Sequence, residues 1–266
     1  MEEDIEEEDV FEDDKLPREI VIPGEVLTED VQNYLPGRGT IINPKKNAII
    51  SLTIGLKQIT KNYVNVIPLR GFYTPRPGDK VLAIVIDKNP VKYKCDIGAK
   101  DFAILKPKNM MKKDKRRLKR IVKVGIGDHK KGEEVERYEI GDAIIAKVLS
   151  ADRLNKPELT TIGKYLGKKT GGVIISIEPP KVPRIIGRNG SMIKILKKLT
   201  KCNIFVTQNG RIWIKSEIYG DPSAAFAHER LLIDAIYKIT TEAHTVGLTD
   251  RMQEFIENEK IKRGIK

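Results

Sequence analysis

Residues Arg184–Thr200 read "RIIGRNGSMIKILKKLT". The loop Gly187-Arg188-Asn189-Gly190 separates an apolar pair, Ile185-Ile186, from a run in which Met192, Ile195, Leu196 and Leu199 fall at i, i+3, i+4 and i+7. That spacing predicts an amphipathic helix, with Lys194, Lys197, Lys198 and Lys201 on its other face. Two glycines in a four-residue loop either let another molecule approach the backbone or only turn the chain tightly. The flanking sequence has to decide.

Before the loop, "VIISIE" (173–178) has the β-branched content of a strand and ends at Pro179-Pro180. After it, "CNIFVTQNGRIWIKS" (202–216) predicts a hairpin around Asn209-Gly210, the strongest short-range hairpin signal. Asp221-Pro222 sets an N-cap before a proline at the first helical position. The long helix that follows carries Ala225, Leu232, Ile236 and Ile239 on one face. The expected order is strand, helix, loop, helix, strand, strand, helix.

Upstream the period changes. Gly78-Asp79 and Gly141-Asp142 each introduce an apolar strand, "KVLAIVI" (80–86) and "AIIAKVL" (143–149), which predicts the first and a late strand of one five-stranded barrel. Between them, residues 106–131 hold twelve Lys or Arg against two Asp, too polar to add to a core. So long an insertion in a compact domain is more often functional or disordered than incidental. Residues 18–70 have no helical period. Short β-branched runs broken at Pro23-Gly24, Pro36-Gly37 and Asn43-Pro44 predict a small all-β domain.

The formal net charge of +12 hides an asymmetry. Residues 1–14 contain ten acidic residues and no Lys or Arg, leaving 49 basic against 27 acidic residues in the remainder. A body charged +22 attracts polyanions, of which nucleic acid is the commonest in a cell. The tail, residues 1–17, is expected to be disordered, as a solvated tail or as a mask for a basic surface. Cys95 and Cys202 lie far apart with no Cys or His partner nearby, so two buried thiols are expected and no metal site. No run approaches the roughly 18 uncharged apolar residues of a membrane span. The reading is a soluble, cytoplasmic protein with no membrane association.

With the motifs in place, two families come into view. Ile185, Ile186, Gly187, Gly190 and Ile193, set in that strand–helix–helix–hairpin–helix order, resemble a KH domain of the eukaryotic-type arrangement (β-α-α-β-β-α). Gly78-Asp79, "CDIG" (95–98), "AIL" (103–105) and "GDAIIAKV" (141–148) resemble the OB-type RNA-binding barrel named after the largest ribosomal small-subunit protein. With "VIPGEVL" (21–27) ahead of them, the order of modules over residues 18–240 is similar to the KH-containing cap subunits of the archaeal RNA exosome. The fold class so implied is multidomain α+β: a small all-β N-terminal domain (18–70), a five-stranded OB-type β-barrel (71–165), a KH domain (166–242) and a C-terminal helical extension (243–266). The resemblance implies a cap on a ring of phosphorolytic subunits of the ribonuclease PH type, beside other cap subunits. It would bind single-stranded RNA and guide it to the ring for 3′-to-5′ degradation, the N-terminal module gripping the ring. Catalysis would belong to the ring, and no cofactor is implied.

Three regions are candidates for RNA contact. KH domains clamp about four nucleotides at the Gly-x-x-Gly loop, here Gly187, Arg188, Asn189 and Gly190. Asn189 tolerates a left-handed backbone, which equally suits a structural turn or a contact with the neighbouring barrel. On the barrel, Tyr93 and Phe102 stand where stacking residues lie in this family, with Lys94 beside them; filling the barrel core is the other reading. In the basic insertion, Lys112, Lys113, Arg116, Arg117, Lys119 and Arg120 would meet phosphates or an acidic protein surface. His129, His228 and His244 share no motif, and His228 is expected at the surface of its helix. Nucleophile-elbow, H-E-x-x-H and Walker motifs do not occur. Two other classes stay open: a stand-alone translation or transcription factor, and a self-contained nuclease.

Overall fold

The computed structural model describes residues 19–110, 137–152, 155–242 and 247–265. It divides at Gly71 into two compact units.

The first unit contains β1 (Ile20–Val21), β2 (Val26–Thr28), β3 (Leu35–Pro36), β4 (Thr40–Asn43), β5 (Ala48–Ser51), β6 (Gly55–Thr60) and β7 (Tyr63–Pro68). They form a four-stranded sheet, β1-β6-β7-β3, and a three-stranded one, β2-β5-β4. Val21, Leu27, Ile49, Val64 and Val66 make its small core. Pro36, read above as a breaker, is the last residue of the edge strand β3, opposite Val64. An edge position tolerates proline because no ladder N–H is required there.

The second unit holds the barrel and the helical module. Its strands are β8 (Lys80–Lys88), β9 (Tyr93–Asp96), β10 (Ala103–Leu105), β11 (Ala143–Ser150) and β12 (Glu158–Thr160). β12 pairs with both β10 and β11, which closes the barrel. A further short strand, β13 (Gly167–Lys169), adds to β11 outside the closed ring. The two Gly-Asp starts have matching roles at opposite ends of the antiparallel β8–β11 pair. The Gly78 amide bonds the Val148 carbonyl and the Gly141 amide bonds the Val85 carbonyl, each at 2.8 Å. Val81, Ala83, Val85, Cys95, Ala103, Leu105, Ile144, Ala146, Val148 and Leu159 fill the interior.

The helical module has the expected order. Its elements are β14 (Val173–Ser176), α1 (Val182–Ile186), α2 (Ser191–Thr200), β15 (Cys202–Val206), β16 (Arg211–Ser216) and α3 (Pro222–Thr241). The sheet order is β14-β16-β15, all antiparallel. Asp221 caps α3, its Oδ1 accepting from the Ser223 and Ala224 amides at 2.9 and 3.1 Å. A further helix, α4 (Leu248–Arg263), buries Leu248, Met252 and Ile256 in the same core. On α2, Met192 and Leu196 are buried, and Ile193 packs on the core while Ile195 is half-buried at the margin. Each fully buried Leu or Ile here stabilises by about 1.5–3 kcal/mol.

Two expectations about single residues need correction or completion. His228 is buried, not at the helix surface: its Nδ1 lies 2.9 Å from the Thr200 carbonyl, to which it donates. The ring sits one turn before Leu232, on the stripe that faces the core. Cys95 and Cys202 are free, buried thiols, and burial pushes them up to about 12 and about 11. Among the described residues, no helix is long and apolar enough to cross a membrane.

Candidate nucleic-acid interface

The Gly187–Gly190 loop makes its turn on the left-handed side of the backbone map. Gly187, Asn189 and Gly190 have φ of 73°, 49° and 72°. A Cβ on Gly187 would press into the Met192 amide nitrogen, so only glycine fits there. Arg188 and Asn189 are exposed. Gly190 is the N-cap of α2 and provides no side chain to cap it; the Ser191 amide turns back to the Arg188 carbonyl, and the positive end of the helix dipole lies at this loop.

The barrel is held by a different turn. Thr207–Gly210 joins β15 to β16, with only Gly210 of the Asn-Gly pair in the left-handed region (φ 79°). The tip of this turn inserts against β8 and the end of β9. Asn209 is buried, and its Nδ2 donates to the carbonyls of Leu82 and Ile97 at 2.9 and 2.8 Å. Its Oδ1 accepts from the Leu82 amide at 3.2 Å and from the Thr207 hydroxyl at 2.6 Å. Gln208 exchanges two bonds with the Lys80 backbone, both 3.0 Å. Arg211 donates through Nη1 to the Asp96 carbonyl at 2.7 Å and through Nη2 to the Asp96 carboxylate. Burial opposes ionisation of Asp96, but the Gly98 amide and the Arg211 guanidinium outweigh it and hold the carboxyl below its ordinary value. The sequence marks Asn209-Gly210 only as a turn, not as this junction. The only hint was the nearby polar pair Gln208 and Arg211, otherwise unexplained on a hairpin.

On the barrel, the pleat separates the two aromatic candidates. Tyr93 lies on the same face of β9 as buried Cys95; it packs on the core and meets Tyr138 edge-to-face at 5.8 Å between centroids. Lys94 points outward, beside Ile104 on β10. Phe102 is half-buried on the outer side, with the Lys156 ammonium 3.6 Å and the Lys94 ammonium 5.6 Å from its ring centroid. Lys94 also pairs with Asp87 at 2.7 Å. The structure therefore brings Phe102 and Lys94 together, adds Lys156, and sends Tyr93 inward. A flat ring flanked by two cations can stack a base and hold its phosphate.

Lys112, Lys113, Arg116, Arg117, Lys119 and Arg120 lie outside the described residues, as do the acidic tail, His129 and His244. The ends that flank the basic segment are anchored in the barrel core by Met110 and Tyr138. Asn109 fixes one end, its carbonyl accepting from the Thr160 hydroxyl and the Thr161 amide at 2.8 and 2.9 Å. Among the described residues, no three His, Cys, Asp or Glu side chains gather to hold a metal ion.

Comparison with known proteins agrees with this architecture. A family model described as "KH domain" matches residues 172–218. The exosome complex component Rrp4 of Methanothermus fervidus is 39% identical over 242 residues, covering 90% of this chain and 95% of the relative. The protein of the same name from Saccharolobus solfataricus is 38% identical, covering 91% and 88%. A crystal structure described as an exosome complex RNA-binding protein is 34% identical and superimposes with a TM-score of 0.56, covering 73% of this chain and 99% of the solved one.

Proposed function

The chain belongs to the Rrp4 family of exosome complex components, and from that premise we propose that it is a non-catalytic, cytoplasmic cap subunit that binds single-stranded RNA. It hands the RNA to a ring of ribonuclease PH-type subunits for 3′-to-5′ degradation, alongside other cap subunits. The observation that carries this reading is the extent of the family match, 90% of the chain, which takes in the N-terminal unit, the barrel and the KH domain together. The N-terminal module, residues 18–70, is the part that docks on the ring. Its exposed Ile41, Ile42, Leu52 and Ile54 support that role, since large apolar side chains at a surface suit a protein contact.

RNA contact is assigned first to the outer face of the barrel, residues 71–165. Phe102 stacks a base there, and Lys94 and Lys156 meet the adjoining phosphates. Lys112, Lys113, Arg116, Arg117, Lys119 and Arg120 extend the positive surface. Tyr93 supports the barrel wall from inside. The Gly187–Gly190 loop of the KH domain, residues 166–242, adds a weaker contact through the exposed Arg188 and Asn189 and the positive end of the α2 dipole. The test is native mass spectrometry of the protein with purified ring subunits. A ring that gains copies of the chain supports the cap assignment. A ring that ignores it returns the protein to the class of stand-alone RNA-binding factors. Nucleotide release from RNA by the chain alone, with phosphate or magnesium, would overturn the non-catalytic part.

A further inference from the structure

The KH sheet has a second face. Ile175, Ile204, Ile212 and Ile214 point toward the helices, whereas Ile174, Phe205 and Trp213 alternate to the opposite side and are half-buried. Pairing register sets Trp213 directly across from both Ile174 and Phe205, so the three form one row across the sheet. The Trp213 ring is pinned by its Nε1–H, which donates to the Gly171 carbonyl at 2.8 Å. Above the row lies Lys169, its Nζ 5.5 Å from the Phe205 centroid and 5.6 Å from the Trp213 centroid. Lys169 comes from β13, which is paired to barrel strand β11. The barrel thus delivers the cation and the KH sheet supplies the rings.

Ile174, Trp213 and Lys169 border a cleft of about 340 Å³ that Asp142, Lys168 and Gly171 also line, and Phe205 continues the aromatic row beside it. That volume lies within the roughly 300–1,000 Å³ of small-ligand clefts. Lys168 is neutralised by Asp142 at 2.7 Å, but among the described residues no carboxylate pairs with Lys169. Burial lowers the pKa of Lys169 below its ordinary value, so an anion brought next to it would relieve a desolvated charge. Lys215, on the same strand and face as Trp213, holds a second ammonium at the rim, bonded to the Thr170 carbonyl at 3.1 Å.

We propose that this cleft is a second RNA contact: one base stacks on the Trp213–Phe205 row and its phosphate is taken by Lys169. The inference rests on the reading of the protein as an RNA binder, and it places the contact on the side of the sheet away from the Gly187–Gly190 loop and its helices. Aromatic rings next to uncompensated cations match the two surfaces of a nucleotide, planar and anionic. An acidic peptide would use the lysines and leave the rings unmatched.

Trp213 is the only tryptophan in the chain, so its emission reports on this cleft alone. The full-length protein is titrated with a fluorescein-labelled oligoadenylate 12-mer, following RNA anisotropy, and with the unlabelled 12-mer, following tryptophan emission. Expected is quenching of Trp213 with the same midpoint as the anisotropy change. Phe205→Leu should weaken binding about tenfold, the loss of one stacked base. Lys169→Gln should lower the slope of log affinity against log salt by about one. Circular dichroism checks that both variants fold. Anisotropy that rises while Trp213 emission stays flat, with both variants binding as wild type, overturns the cleft and leaves RNA binding intact. No anisotropy change at all would bring down the RNA-binding reading itself, and the cleft with it.

Discussion

Asn209→Ala isolates the junction between barrel and KH domain. The substitution removes the donor to the Leu82 and Ile97 carbonyls and the acceptor of the Leu82 amide. Both Leu82 and Ile97 are fully buried, so water cannot replace the lost partners, and only the Leu82 carbonyl keeps another donor, Arg211 Nη1 at 3.4 Å. At about 1 kcal/mol net per hydrogen bond, and more for groups left unpaired, the cost is about 3–5 kcal/mol. Asn209→Asp keeps the shape but points a carboxylate oxygen at two carbonyls, and should cost at least as much at neutral pH. Its folded carboxyl is raised above the unfolded value, so its relative stability is greatest below pH ~4 and falls as pH rises. The assay is equilibrium urea unfolding of the full-length protein, followed by tryptophan emission for the KH sheet and by far-UV circular dichroism for the whole. Wild-type barrel and KH domain should unfold together, while both variants shift the midpoint down and separate the two signals. A loss below 1 kcal/mol with coincident transitions would refute the claim that this asparagine joins the two modules.

Four further outcomes are expected. Phe102→Ala should weaken RNA binding by about 1–3 kcal/mol, the value of one stacked base, in an anisotropy titration; equal affinity would remove the barrel face from the interface. Changing Arg188 and Asn189 together to Asp should weaken binding by less than Phe102→Ala does, and an effect larger than that would reverse the order of the two sites. If six to ten phosphates are met, wild-type affinity should fall about 10³- to 10⁵-fold between 50 and 200 mM salt, and neutralising Lys112, Lys113, Arg116, Arg117, Lys119 and Arg120 should flatten that dependence. Asp96 ionises more readily folded than unfolded, so its contribution is complete above pH ~4 and is lost as pH falls through the lower, folded value. Asp96→Asn should therefore flatten the acid limb of the stability profile, and an unchanged limb would sink that assignment.

What the sequence revealed and what it hid divide along physical lines. Periodicity and punctuation mark the KH order, the first and a late strand of the barrel and the Asp221 cap, because each depends on neighbours in sequence. For two residues the period carries the answer. His228 is four residues before Leu232 and so on the buried stripe, and Tyr93 alternates in phase with buried Cys95. The expected surface position of His228 is overturned, whereas for Tyr93 the pleat favours the core-packing one of its two readings. Lys156 and Lys169 could not have been found, since each meets its rings across a non-local pairing that no short window contains. The role of Asn209 was hidden for the same reason.

The two Asn-Gly pairs of the KH domain separate identity from attachment. At Asn189-Gly190, both residues are left-handed, and the loop spends its chemistry on shape: it turns the chain and leaves Arg188 exposed at the N-terminal end of α2. At Asn209-Gly210 only the glycine is left-handed. A Cβ there would run into the Ile177 carbonyl, so the glycine brings β14 close while the asparagine side chain reaches into the barrel. A motif search rewards the first pair because its spacing is fixed by local geometry. The second has no fixed spacing to its partners, yet it sets how the barrel meets the sheet and hence whether Lys169 lies over Trp213. Loosening the Asn209 contact should therefore disturb the Trp213 cleft before it disturbs the Phe102 face, which is built from barrel residues alone. If Asn209→Ala abolished the Phe102-dependent part of RNA binding and spared Trp213 quenching, that ordering, and the rigid coupling behind it, would be wrong.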